Sequence, residues 1–424
     1  MQLDLDSIGW ASLTHAYGTA EDVPDLLRGL RSADAEVRRA AVDELYGNIF
    51  HQGSRYEASA YAVPFLLELL ADPATPDRSE LVRLLSCLAV GYGRNHVATG
   101  FPVAAMRAAV AQVPDRTWQS WSLAMKEWYG VVGTGRRQPM PLDKAERRLL
   151  DTRHELAAYD AVRASVPVLL DCLAGPDAEV ASAAVQALAW FPEELAPIRP
   201  GLVAVAVDRR QPVLMVGAAL VALGLLGGPR TPVVTDLLDL HLGGADPDLR
   251  WSAAVAWAHL GQEGVPDLAV AELRMWTEAG GKDAGTTVWG VRHDGLALAM
   301  LDRVAEPLAQ QVRAGLVAEQ LAKEPTSNWH NHFNVVLGRA FPRMVRDHGR
   351  AYGELTTGQR AVVDWLVANP QVFDDLTGPE YPLEQHGLPS TVEALRTYAG
   401  LDGDSARDDG PAFPPADGRS TSID

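Results

Sequence analysis

The sequence predicts an all-α fold, a right-handed solenoid of stacked helix pairs that continues into a helical C-terminal extension. Three observations carry this reading. One pattern is written three times, opening at Val166, Ile198 and Val233, 32 and then 35 residues apart, and running each time through a polar or Pro/Gly turn into a second apolar stretch. Self-similarity at such a period marks a repeat architecture in which each unit buries its apolar face against its neighbours. In the second stretch of each copy, apolar residues recur at i, i+4 and i+8: Val180, Ala184 and Leu188; Val213, Gly217 and Val221; Leu249, Ala253 and Trp257. That spacing draws one stripe along one helical face, and its small middle residue lets a neighbouring helix come close. Finally, Asp177-Ala178-Glu179 and Asp246-Pro247-Asp248 precede two of these stretches, acidic residues suited to capping a helix N-terminus.

Taken in order, the chain divides into a repeat body over 1–285, a divergent helical region over 286–401 and an acidic tail over 402–424. Trp10 to Gly18 reads as a short capping helix that covers the outer face of the first repeat. Repeat one runs from Val23 to about Ile49, and a polar, aromatic stretch from Asn48 to Glu57 then interrupts the pattern. Repeat two opens at Val63, with its second helix from about Ser79 to Val90. The interval over about 97–160 holds a helix bearing Trp118, Trp121, Trp128 and Tyr129, a Gly/Pro-rich loop from Gly130 to Pro141, and a charged helix from about Asp143. It reads as a modified repeat with an insertion projecting from one edge. After the three clear copies a last repeat opens at Val265 and gives way to a flexible connection at Gly280 to Gly285. Asp294 to Leu321 still carries apolar stripes, Thr356 and Thr391 stand where they would cap two later helices, and from Asp402 almost no apolar residue remains, which predicts disorder.

The turn-and-helix motif resembles the HEAT repeat. Asp246-Pro247-Asp248-Leu249-Arg250 followed by Ala253-Ala254 carries its turn Asp and helix Arg, and Asp34-Ala35-Glu36-Val37-Arg38 followed by Ala40-Ala41 carries them again. The copy at Asp177 has Ala181 in place of the Arg, and the copy at Gln211 has lost both charges. The resemblance spans roughly residues 20–275. It implies an armadillo-type solenoid whose second helices line a concave binding face. Enzymes on HEAT-like folds give tests. Deoxyhypusine hydroxylase needs several His-Glu pairs, where this chain has only His154-Glu155; alkyl-purine DNA glycosylases use a basic groove with Trp and Asp; phycobilin lyases share the repeat, but nothing here marks bilin binding.

Composition narrows the function further. The formal charge of −18 argues against a general nucleic-acid binder, because phosphate contacts need clustered Lys and Arg. Cys87 and Cys172 each fall in an apolar run and read as buried thiols of a reducing compartment. The N-terminus has neither a basic nor an apolar leader region, and the longest apolar run, Val213 to Gly227, falls short of the roughly 20 residues a membrane span needs. Arg outnumbers Lys and Ala, Gly and Pro are plentiful, an association with high-GC bacterial genomes. The expectation is a bacterial, cytoplasmic protein with no cofactor, no metal and no membrane partner.

Candidate contact residues lie where polar and aromatic side chains interrupt the repeats. His51, Gln52, Arg55 and Tyr56 form the first group, and Arg and Tyr are the residues that dominate interface hot spots. Trp118, Trp121 and Trp128 share one helical face, with Arg136 and Arg137 nearby; that face either packs on the body or holds a flat or cationic ligand. Trp329, His330 and His332 form the third group, where two histidines at i and i+2 lack the third ligand a metal requires. His293-Asp294 places a base beside a carboxylate, but neighbours on a helix point apart. The reading is a non-catalytic scaffold that binds another macromolecule, a protein before any other class, on its concave face. The alternative is an enzyme or small-molecule binder on the same fold, an alkyl-purine DNA glycosylase-like protein being its most specific form.

Overall fold

A computed structural model of the chain describes residues 4–132, 138–261, 264–278, 287–321, 337, 340–341, 351–370, 373, 383–384 and 386–401. Helices and their connecting turns make up the described residues, with two short hairpins as the strands among them, and they fall into two compact units that part near Trp276 and Met300. No helix among them is long and apolar enough to cross a membrane.

The first unit is a stack of helix pairs: α1 (Val23–Gly29) with α2 (Ala35–Asn48), α3 (Glu57–Ala71) with α4 (Arg78–Val90), α8 (Val166–Ala174) with α9 (Ala178–Leu188), α10 (Leu195–Val207) with α11 (Val213–Leu226), and α12 (Pro232–Leu242) with α13 (Pro247–Leu260). The second helices stack directly, α4 on α9, α9 on α11 and α11 on α13. Small residues make these approaches possible. Ala184 and Ala253 are fully buried, and a Cβ on Gly224 would stand 2.6 Å from Cα of Ala256 on α13. The repeated Asp does what its position predicts: Asp34 accepts from the Glu36 N–H, Asp177 from Glu179 and Val180, and Asp246 from Asp248 and Leu249. The repeated Arg has a common task too. Arg38 donates to the turn carbonyls of Ser32 and Ala33 and pairs with Asp77 at 2.7 Å, while Arg250 donates to those of Gly244 and Ala245 and pairs with Glu272 at 3.1 Å. Each fastens the turn within its own pair and reaches an acid further along the chain.

Three local expectations are revised. Trp10 to Gly18 is not a helix: a short 3-10 turn, Trp10–Ser12, leads into a hairpin of β1 (Thr14–His15) and β2 (Gly18–Thr19). Its strand residues Thr14 and His15 are buried, and His15 Nε2 meets Asp22 at 2.9 Å, an anchor that a helix would not provide. The polar interruption is a second hairpin, β3 (Phe50–His51) with β4 (Ser54–Arg55). It turns on Gln52 and Gly53, both at positive φ (51° and 91°), as a two-residue turn matching strand twist requires. The insertion comprises α5 (Val103–Ala111), α6 (Asp115–Val132) and α7 (Lys144–Arg163). It folds back instead of projecting: α7 lies against both α3 and α4, leaving the stack to pass from α4 straight to α9.

α14 (Asp267–Glu278) and the first turns of α15 (His293–Val304) close the first unit. In the second unit α16 (Glu306–Leu321), α17 (Thr357–Ala368) and α18 (Val392–Tyr398) surround a core of Val317, Val362, Val363, Leu366 and Leu395. Thr356 and Thr391 cap α17 and α18 through the Gln359 and Ala394 N–H groups. The tail from 402 lies outside the described residues.

Candidate functional site

The β3–β4 hairpin and α7 meet in a corner that buries charge. Arg55 is only 4% exposed. Its guanidinium donates to the Gly53 carbonyl across the turn and stands 3.7 Å from Glu155 of α7. Its Nε is buried with no partner among the described residues. Burial lowers the Arg55 pKa, Glu155 pulls it back and Arg148 lowers it further. The end of α4 leaves room for this side chain only because residue 91 is glycine: φ there is +72°, and a Cβ would lie 2.7 Å from an Arg55 guanidinium nitrogen.

Tyr56 opens α3, its N–H donating to the Ser59 hydroxyl at 2.7 Å, and that hydroxyl donates to the Ile49 carbonyl at 2.6 Å. Burial, then Tyr129 and Asp151, push the Tyr56 phenol up to about 12. Asp151 stands one turn before Glu155 on α7, and its pKa is raised by burial and then by that neighbour. His154 is pulled down to about 4 by burial, Arg153 and Lys126, so it is neutral at pH 7. Lys126 of α6 holds Glu57 of α3 at 3.1 Å, a tie between the insertion and the stack. His51 sits at the rim with Nδ1 3.0 Å from the Gly47 carbonyl and its ring edge-on to Tyr17 at 5.3 Å, and Gln52 is exposed at the turn.

The first predicted group therefore splits: His51 and Gln52 face outward, whereas Arg55 is interior and tied to a residue 100 positions away. The tryptophan face packs. Trp118 is buried with Met125, Leu142 and Leu150, its ring edge-on to Trp121 at 5.2 Å and covered by Arg153 at 5.0 Å. Trp128 donates from Nε1 to the Gln138 carbonyl at 3.0 Å. Of the two alternatives the packing one describes Trp118, though it packs within the insertion and the cation over its ring is Arg153 of α7. Arg136, Arg137, Trp329, His330 and His332 lie outside the described residues. His293 and Asp294 are parted: Arg292 takes Asp294 at 3.0 Å, while the His293 ring stacks on Trp276 at 4.9 Å.

One arrangement went unread in the sequence. An aromatic residue follows the end of α2, α4 and α9: Phe50, Tyr92 and Trp190. Phe50 meets Tyr92 edge-on at 5.4 Å with Arg94 over the Tyr92 ring, and Trp190 meets His96 and Trp289 at 6.5 and 5.7 Å. The recurrence of an aromatic two residues past α2, α4 and α9 is the available signal.

No protein-family model matches the sequence, and no curated protein matches it. Among solved structures, the crystal structure of a Kap121p mutant is similar over 90% of this chain at 12% identity, with a TM-score of 0.31. The chain spans 41% of the length of that protein.

Proposed function

We propose that the chain is a non-catalytic helical-repeat scaffold whose partner is another protein. The observation that carries this reading is a set of exposed apolar side chains recurring in register. Val233 and Leu240 on α12 return 35 residues later as Leu268 and Met275 on α14, and all four are exposed. Apolar surface repeated along a stack is what a protein partner covers. Two of the second helices offer little to a partner, because Met215 to Gly224 of α11 and Trp251 to His259 of α13 are buried throughout. A partner reaches α11 and α13 only near their ends. The formal charge of −18 favours a basic or mixed-charge partner and speaks against nucleic acid.

The test is affinity capture from the native host with identification of the bound protein, comparing wild type with the Leu240→Glu, Met275→Glu double variant. The scaffold reading expects a stoichiometric partner that the double variant loses while its melting temperature holds. Equal capture by both would remove this surface from the account. The alternative, an enzyme or small-molecule binder, draws support only from the hairpin–α7 corner, with its unpartnered Arg55 Nε among the described residues.

A further inference from the structure

The outer faces of the first helices differ along the stack. Toward water, α1 shows Asp25 and Arg28, and α8 shows Asp171 between Pro167 and Ala174. α3 and α10 each show one large apolar side chain, Tyr61 and Val207, whereas α12 and α14 each show two. Val233 and Leu240 are 62% and 66% exposed, and Leu268 and Met275 are 53% and 45% exposed. The members of each pair stand seven residues apart, two turns along one side of the helix, so each helix presents a short apolar ridge. The two ridges share a support. α12 packs on α13, and Glu272 of α14 pairs with Arg250 of α13 at 3.1 Å. Arg230, just ahead of α12, donates to the Gly261 carbonyl at 3.3 Å and lies against Gly264, which ties the starts of α12 and α14 together.

We infer that α12 and α14 together seat an amphipathic helix of the partner protein, with apolar residues in heptad spacing flanked by Lys or Arg. The inference rests on the scaffold reading and names the chemistry of the partner. Hydrogen bonding selects a helix: the backbone groups of α12 and α14 are bonded within each helix, so an extended segment laid on them would find no partners for its own N–H and C=O groups, whereas a helix arrives with its backbone satisfied. Spacing selects the apolar pattern. A ridge of two side chains seven residues apart spans about 10 Å, and side chains at i, i+3 or i+4 and i+7 of a partner helix span the same length. Charge selects the flanks. The exposed side of α12 carries Asp236 and Asp239, that helix has no Lys or Arg, and α14 adds exposed Asp267 against the single base Arg274.

The test uses the full chain and synthetic peptides of about three heptads with leucine at the a and d positions and lysine and alanine elsewhere. Affinity is read by fluorescence anisotropy and location by hydrogen exchange. The lysine peptide is expected to bind and to slow exchange in α12 and α14. Leu240→Ala should weaken it about tenfold, the loss expected when burial of one aliphatic group is removed, and should leave the melting temperature where it was because the side chain is exposed. A peptide with glutamate in place of lysine should bind the wild type severalfold less well, and Asp236→Lys should reverse that order. The lysine peptide with two central alanines replaced by proline, which cannot stay helical, should not bind. A lysine peptide that fails to bind, a proline peptide that binds equally, or binding unmoved by Leu240→Ala would overturn the inference. So would pairing of the chain with itself through this face, seen as a mass that doubles with concentration in the wild type but not in Leu240→Glu. The scaffold reading is judged separately by capture: a partner lost from the Leu240→Glu, Met275→Glu variant while the peptides fail leaves the scaffold standing and the helix wrong.

Discussion

The α9–α11–α13 stack and the hairpin–α7 corner hold helices together by opposite means. In the stack the contacts are made by what is missing: Gly217, Gly224, Ala184 and Ala253 let backbones approach. In the corner the contacts are made by what is costly to bury, with Arg55 and Glu155 largely enclosed beside the hairpin and Asp151 and His154 part-buried on the same helix. The stack extends by repeating itself. The corner occurs once and fastens an insertion to the body. A region tuned for close approach should punish added volume, whereas a region tuned for buried charge should punish a lost partner.

The largest expected effect is in the corner. Glu155→Ala leaves the Arg55 cation buried without its counter-charge and should cost about 3–5 kcal/mol, read as a drop in the denaturant midpoint. A midpoint that hardly moves would mean that water already compensates Arg55. Next comes the stack. Gly224→Ala places a Cβ against the α13 backbone, which cannot swing away, and should cost about 1–3 kcal/mol; a neutral result would show that α11 and α13 can slide apart.

Acid should destabilise the fold through His154 of α7. The folded His154 pKa of about 4 lies below the unfolded value, so between about pH 6.5 and pH 4 the unfolded chain binds a proton that the folded chain does not. Stability therefore falls as the pH drops through that window. Asp151, whose pKa is raised, acts in the opposite sense at the acid end. His154→Gln should flatten the slope between pH 6.5 and 4, and an unchanged slope would assign it to another group. The smallest effect is a single cap: Asp177→Ala removes two acceptor bonds at the start of α9 and should cost about 1 kcal/mol, checked by thermal melting.

The stack was legible because its information is local. A recurrence of 32 to 35 residues, stripes at i, i+4 and i+8, an Asp before α2, α9 and α13 and an Arg four residues on in α2 and α13 are all visible in one pass along the chain. The two hairpins were not, since strands of two residues are too short to show alternation. Nothing in the spacing indicated that α4 would meet α9 across the insertion, or that α7 would lie on α3 and α4. From the sequence Arg55 reads as a surface anchor because arginine is seldom interior unless paired, and its pairing residue, Glu155, is far along the sequence. The shared face of Trp118, Trp121 and Trp128, three and then seven residues apart, is legible in the sequence, but the residue covering Trp118, Arg153, is not.

Hydrogen exchange of the chain, free and with its captured protein partner, tests the central claim most directly. The account predicts slowed exchange in α12 and in α14, with the hairpin–α7 corner exchanging as it does in the free chain. Protection confined to the 50–56 hairpin and α7, with α12 and α14 unchanged, would contradict it and move the binding surface to the buried-charge corner.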